Sequence, residues 1–308
     1  MTYIKGLVSV IIPTYKRTDT VIRAIDSVLN QTYKNIECIV VNDNEVSDSF
    51  SKDLATILGD YVNTNKIIYL EQSKHINGAA ARNYGIRNAK GEFIAFLDDD
   101  DWWKPDKIQK QIDYLYRLDD GYGGVSTLIE FYQDGHIVRH TVPYRDGKIY
   151  KEILGREIDV ATGSVLLKRK CLDNAGYFDE KLTRHQELQL LSYFTYKYKI
   201  GLLPEYLLCM ENDDKRNRPM EPNQLRRMKR SFFKSVKPIM DSLSNEEQSV
   251  IYSLNRLDIV YICLKSRKYK DAFYELVKIM KNPRASIKIA KRIVRRMKEK
   301  LVNLIGNC

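Results

Sequence analysis

Over its first two hundred residues the chain alternates short apolar runs with stretches whose apolar residues recur every three or four positions. "LVSVIIP" is a continuous apolar run of the kind that fills a strand buried on both faces. "TDTVIRAIDSVLNQ" follows, with Val21, Ile22, Ile25, Val28 and Leu29 on one helical face and Thr18 or Asp19 as the expected N-cap. The pair then recurs: "NIECIVVND" as strand, "SDSFSKDLATIL" as helix, "KIIYLEQ" as strand, "NGAAARNYGIRNA" as helix and "GEFIAFLDDD" as a fourth strand. Strands alternating with helices of this length predict an α/β domain on a mostly parallel, Rossmann-like sheet, whose ligands bind outside the carboxyl ends of the strands.

After "KPDKIQKQIDYLYRL", a predicted helix beginning at Pro105, the pattern changes. "GGVSTLIEFYQDGHIVRHTVPY" predicts two strands around an Asp134-Gly135 turn, and "DVATGSVLLKR" a further strand, so a mixed second half joins the parallel first half. From "EPNQLRRMKRSFF" onward the pattern is helical, with a helix pair over 246–281 turned near Ser266 to Lys270. The charged, proline-containing "MENDDKRNRPMEP" marks a boundary. The expected organisation is an α/β domain over 1–210, a mobile linker or lid over 211–222, and a helical extension over 223–308.

Charge and composition refine this picture. The net charge of +11 is concentrated in two segments: residues 215–237 and 281–308 each carry nine Lys or Arg against one Glu, which leaves the rest of the chain slightly acidic. No apolar run approaches the roughly 18 residues of a membrane span, and the apolar run near the N-terminus is short and broken by Pro13. A cytoplasmic chain that keeps its N-terminus is expected. The five cysteines are scattered without metal-ligand spacing, which predicts reduced thiols.

The candidate chemistry lies where "FIAFLDDDDWWKPDKI" leaves an apolar strand for four consecutive aspartates. Solvation and helix capping account for one or two of them. Asp98 and Asp100, two apart at a strand end, would share one face and could close on a hard divalent cation bound to phosphates. Asp43 ends a neighbouring strand in "CIVVND", although Asn42-Asp43-Asn44 is also a good turn sequence. In "NGAAARNYG" small residues let a helix start approach a ligand, with Arg82 one turn in.

The ordered series "VSVIIPTYKR", "IVVND", "GAAARNYGI", "GEFIAFLDDDDWWKPDKI", "GSVLLKRKCLDNAGYFDEKL" and "RHQELQLLSYF" resembles the family 2 glycosyltransferases of the GT-A fold, over about residues 7–205. The resemblance implies inverting transfer of a sugar from a nucleotide sugar, usually uridine-linked, to an acceptor hydroxyl, assisted by Mn or Mg. By resemblance, the backbone near Pro13 and Thr14 and the carboxylate of Asp43 hold the nucleobase, with Arg82 beside that pocket. Asp98 would meet the ribose and Asp100 would ligate the metal, while Asp99 and Asp101 support them and Trp102 could line the donor-sugar site. The matching position for the catalytic base is Glu187, one methylene longer than the family's usual Asp. Asn42 stands where the family commonly shows Asp. The expected acceptor is a saccharide or lipid-linked saccharide of bacterial surface polysaccharide assembly. A noncatalytic nucleotide-sugar binder or membrane-associated partner subunit of the same fold is the alternative.

In "RASIKIAKRIVRRMKEKLVNLIG" the residues Ala290, Ile293, Val294, Met297, Leu301, Leu304 and Ile305 share one helical face, and Lys and Arg occupy much of the rest. Such a helix docks on its own domain or lies in an anionic membrane surface. No nucleic-acid module accompanies the charge, so nucleic acid is not an expected partner.

Overall fold

In the computed structural model residues 3–211 and 221–291 are described. They form two compact units, one of residues 3–150 and 159–211, the other of residues 151–158 and 221–291. The tail from 292 onward, with most of its basic amphipathic face, lies outside the described residues, as do 212–220 of the expected linker.

The first unit opens with β1 (Ile4–Thr14), α1 (Val21–Leu29), β2 (Ile36–Asn42), α2 (Ser49–Asn63), β3 (Ile68–Glu71), α3 (Gly78–Asn88) and β4 (Gly91–Phe96). It continues through β5 (Trp102–Trp103), α4 (Lys107–Leu115), β6 (Tyr122–Gln133) and β7 (His136–His140). After a short helix α5 (Tyr150–Leu154), which from Lys151 belongs to the second unit, it resumes with β8 (Val165–Lys168), α6 (Arg169–Ala175), α7 (Gln186–Lys197) and β9 (Lys199–Glu211). One sheet runs in the order β3-β2-β1-β4-β8-β6-β9-β5, with β7 paired to β6. The four strands from β3 to β4 are parallel, whereas β8 is antiparallel to both β4 and β6. This mixed sheet is the predicted α/β architecture.

The apolar pattern explains the packing. β1 is buried from Leu7 to Thr14 because α1 covers one face and α3 the other. On α1 the buried residues Val21, Ala24, Ile25 and Val28 fall on one stripe, and burying each large aliphatic side chain stabilises by roughly 1.5–3 kcal/mol. Its N-cap is Thr20, not Thr18 or Asp19, and no side-chain bond is made there. On α3 the residues Ala79, Ala80, Ala81 and Gly85 are buried, and Gly85 meets β1 at Ile11 and β2 at Val41. A β-carbon on Gly85 would stand 2.5 Å from Ile11 Cγ2, so only glycine allows this approach. Asn77 fixes where α3 begins, its Oδ1 accepting from the amides of Ala79 at 3.0 Å and Ala80 at 3.1 Å.

At the hairpin between β6 and β7, Asp134 (φ 52°) and Gly135 (φ 78°) both take left-handed backbone, which matches the twist of the flanking strands. The helix expected from Pro105 begins at Lys107 with Asp106 as N-cap.

The second unit is helical: α8 (Pro222–Ser235), α9 (Lys237–Asp241), α10 (Asn245–Lys265) and α11 (Tyr269–Met280), followed by helix over 283–291. Ser244 and Glu247 close a capping box on α10. Leu225, Leu254, Val260, Cys263 and Ile279 are among its core residues. No helix among the described residues is long and apolar enough to cross a membrane.

Candidate active site

The parallel register sets Thr14 opposite Asn42 and Ile11 opposite Phe96, so β1, β2 and β4 end along one edge of the sheet. Pro13 and Thr14 are buried there, and the Thr14 carbonyl accepts from the Asp43 amide at 2.9 Å. Asp43 is buried, with Oδ1 accepting from Gln72 Nε2 at 2.8 Å and Oδ2 lying 3.0 Å from His75 Nδ1. Burial raises its pKa, opposed by His75 and by the field of Arg82. The Tyr15 ring stacks on His75 at 3.9 Å and 14°. Asn42 is structural, its amide donating to Ser51 Oγ at 2.5 Å and Tyr69 Oη at 2.9 Å.

The aspartates leave β4 as a turn rather than as continued strand, closed by the Asp101 amide on the Asp98 carbonyl at 3.1 Å. The expected sharing of one strand face by Asp98 and Asp100 is therefore replaced by turn geometry, in which the four carboxylates find different partners. Asp98 is the outermost and pairs with Arg82. Arg17, from the loop after β1, pairs with Asp99 at 2.9 Å and also with Asp100. Asp101 is buried, and its Oδ1 accepts from the Glu211 amide at 3.1 Å, so it anchors the end of β9.

Crowding and burial act together on this turn. Burial pushes Asp99 up to about 7 against the opposing Arg17. Asp100 is raised by burial and then by Asp98, and Asp101 is raised well above the usual carboxylate range by burial and then by Asp100 and Asp98. The excess negative charge is answered by the arginines. Although burial disfavours its charge, Arg82 has a raised pKa because Asp98 leads a group of carboxylates, Glu187 and Asp99 among them, that favour the cation. Its Nε has no hydrogen-bond partner among the described residues.

Arg82 thus stands within the field of Asp43, Asp98, Asp99 and Glu187. Glu187 lies in the first turn of α7, whose N-cap His185 takes left-handed backbone at φ 64°. The approach to α7 is fixed by α3: the Asn83 amide donates to the Phe178 carbonyl at 2.9 Å and Glu180 Oε1 at 2.8 Å, and its Oδ1 accepts from the Phe178 amide at 3.1 Å.

Beneath the turn, Trp103 is buried, its Nε1 donating to the Gly163 carbonyl at 3.0 Å. The fully buried Lys107 lies over the ring at 3.9 Å, with Gln111 Oε1 as hydrogen-bond partner at 2.8 Å, and burial holds its pKa well below the usual range. Trp102 sits between Arg23 at 4.0 Å and the Tyr132 ring at 4.8 Å.

Arg17 and Asn83 had no role in the reading of the sequence. Arg17 was visible as the last residue of "VSVIIPTYKR", but its partners are some eighty positions away. No local signal marks Asn83.

Among known proteins, AmsB of Erwinia amylovora, named an amylovoran biosynthesis glycosyltransferase, is 32% identical over 193 residues, which are 59% of this chain and 62% of AmsB. WfaP of Escherichia coli, named a UDP-Glc:alpha-D-GlcNAc-diphosphoundecaprenol beta-1,3-glucosyltransferase, is 39% identical over 109 residues, 35% of this chain and 41% of WfaP. The chain thus spans about half the length of these relatives. Among solved structures, S. aureus TarS 1–349 in complex with UDP-GlcNAc superposes with a TM-score of 0.61 at 14% identity, covering 93% of this chain and 91% of that one. The Pyrobaculum calidifontis mannosyltransferase PcManGT, in complex with GDP-Man and Mn2+, gives 0.58 at 15%, covering 94% and 80%. These likenesses make the fold a GT-A fold. With the model of glycosyl transferase family 2 matching residues 9–178, more than half of its length, the chain belongs to that family.

Proposed function

We propose that the chain transfers a sugar from a uridine-linked nucleotide sugar to a hydroxyl of a saccharide or lipid-linked saccharide, with inversion. The observation that carries this reading is the pairing of Arg82 with Asp98, within the electrostatic field of the buried base-side carboxylate Asp43, of Asp99 and of Glu187 from another helix. The names of AmsB and WfaP support polysaccharide assembly, and that of WfaP supports a uridine donor and a lipid-linked acceptor.

In this mechanism Asp43 and the backbone at Pro13 and Thr14 receive the base, and Asp98 and Asp99 lie on the ribose side. Glu187 takes the proton from the acceptor hydroxyl as the bond to the anomeric carbon forms. Arg82 offers a guanidinium with an unused Nε to the donor's anionic groups.

The carboxylates fit a divalent metal, Mn or Mg. Asp98 and Asp100 are hard oxygen donors close enough for Asp98 to raise Asp100. Among the described residues no three His, Cys, Asp or Glu side chains form a metal cluster, and Asp100 is the carboxylate that would hold the ion. Bound there, the metal would neutralise charge on the departing diphosphate. The composition of residues 281–308 supports peripheral attachment to an anionic membrane surface. Failure of the full-length protein to cosediment with anionic vesicles would refute it, and cosedimentation that persists after deletion of this tail would move the attachment to another surface.

The test is donor turnover by purified protein with Mn across a panel of nucleotide sugars, with Glu187→Gln alongside. Wild-type protein should release nucleoside diphosphate, and the variant should bind donor normally but lose transfer on the order of a hundredfold. Unchanged turnover would remove Glu187 from the role. Metal-linked nucleotide binding without release from any donor would favour the noncatalytic reading.

A further inference from the structure

Helices α8, α10 and α11 line a cavity of about 500 Å3 within the helical unit, in the size range of small-ligand sites. Part of its lining is a fixed set of ion pairs. Glu275, only 3% exposed, accepts from Arg256 at 2.6 Å and from Arg226 at 3.2 Å. The buried Lys229 donates to Asn255 Oδ1 at 2.9 Å and Asp258 Oδ2 at 2.7 Å. These bonds hold the charged side chains in one arrangement.

The rest of the lining is mostly aromatic and cationic, with Ile259 and Asp271 beside it. The Phe233 and Tyr252 rings are 4.6 Å apart, and Lys278 Nζ lies 3.9 Å over the Tyr274 ring. Exposed Arg230 and half-buried Lys278 have no carboxylate partner within ion-pair distance among the described residues. Five cationic side chains therefore border a concavity to which Asp271 and Glu275 bring two carboxylates. An ordinary solvated helix face spreads its cations over a convex surface, where rings are not gathered beside them. Here a surplus of positive charge and three aromatic side chains share one hollow, which meets the apolar cluster that holds the helices together at Ile259.

We propose that this cavity is a second ligand site, distinct from the sugar-transfer site, for an organic diphosphate that carries an apolar or ring-shaped group. Arg230 and Lys278 would take the phosphate oxygens, the guanidinium through its fork of donors. Phe233, Tyr252 and Tyr274 would take the carbon portion. A free nucleotide and the head of a prenyl diphosphate lipid share this chemistry.

Hydrogen exchange on the full-length protein locates binding without depending on catalysis. Uridine diphosphate, farnesyl diphosphate and inorganic pyrophosphate would each be titrated to millimolar concentration. Protection of α8, α10 and α11 by either organic diphosphate is the expected result, uridine diphosphate indicating a nucleotide source and farnesyl diphosphate a lipid one. Arg230→Glu combined with Lys278→Glu should weaken that binding by about tenfold or more, with the thermal melt retained because neither residue belongs to the core. Absence of protection with all three probes, or undiminished protection in the double variant, would overturn the site. Pyrophosphate protecting as well as the organic ligands would overturn the part assigned to the rings. Loss of sugar transfer with this protection intact would count against the proposed function alone.

Discussion

Arg82 of α3 is paired with Asp98, the first carboxylate after β4, across an interval of sixteen residues. The pair couples the helix that packs on β1 and β2 to the turn that carries the acidic run. It also sets one of two guanidinium groups, the other being that of Arg17, against a surplus of carboxylates.

Arg82→Lys keeps the charge but loses the planar fork, so it should weaken uridine nucleotide binding by about tenfold or more. Calorimetric titration with uridine diphosphate checks this. Affinity equal to wild type would show that the guanidinium serves Asp98 alone.

Asp43 and Asp100 should separate base recognition from metal-linked binding. Asp43→Ala is expected to weaken uridine and all its phosphates, with Mn or with chelator. Asp100→Ala should leave uridine affinity intact while removing the gain that Mn confers on uridine diphosphate binding. Identical titration behaviour of the two variants would contradict the division of labour.

Asn83→Ala should lower kcat while sparing donor KM. The substitution leaves both backbone groups of Phe178 without their amide partner, at a cost of about 1–3 kcal/mol each for a buried unsatisfied group, and loosens the segment that leads to Glu187. A rise in donor KM with unchanged kcat would place Asn83 outside the support of α7.

Lys107 carries a pH signature. Its folded-state pKa is depressed by burial, so the unfolded chain binds the extra proton, and stability rises with pH through the window from the depressed value to the unfolded value near 10.4. The contribution is lost as pH falls through that window. Lys107→Met keeps the contact with Trp103 and removes the titration, so melting temperature measured across alkaline pH should show a shallower rise than wild type. An unchanged slope would mean that another group titrates.

By itself the sequence determined the parallel half of the fold, because "VSVIIP", "CIVVN" and "FIAF" are apolar runs long enough for strands covered on both faces, joined by segments with helical periodicity. It also placed Asp43 and Asp98 to Asp101 at strand ends, since strand polarity follows from alternation with helices. The helix pair of α10 and α11 was legible from its turn. Tertiary structure alone decided which charges meet. Arg17 pairs with residues eighty positions on, Asn83 ties down a segment ninety-five positions on, and Lys151 to Ile158 join a helical unit that begins more than sixty residues later. Local pattern carries no record of such pairings, because periodicity reports which face of an element is buried and not what it is buried against. The same limit explains the aspartate turn. Four identical side chains in a row look equivalent in sequence, whereas chain reversal after Phe96 buries Asp99 and Asp101 and leaves Asp98 the most open, and only that difference in environment gives them different chemistry.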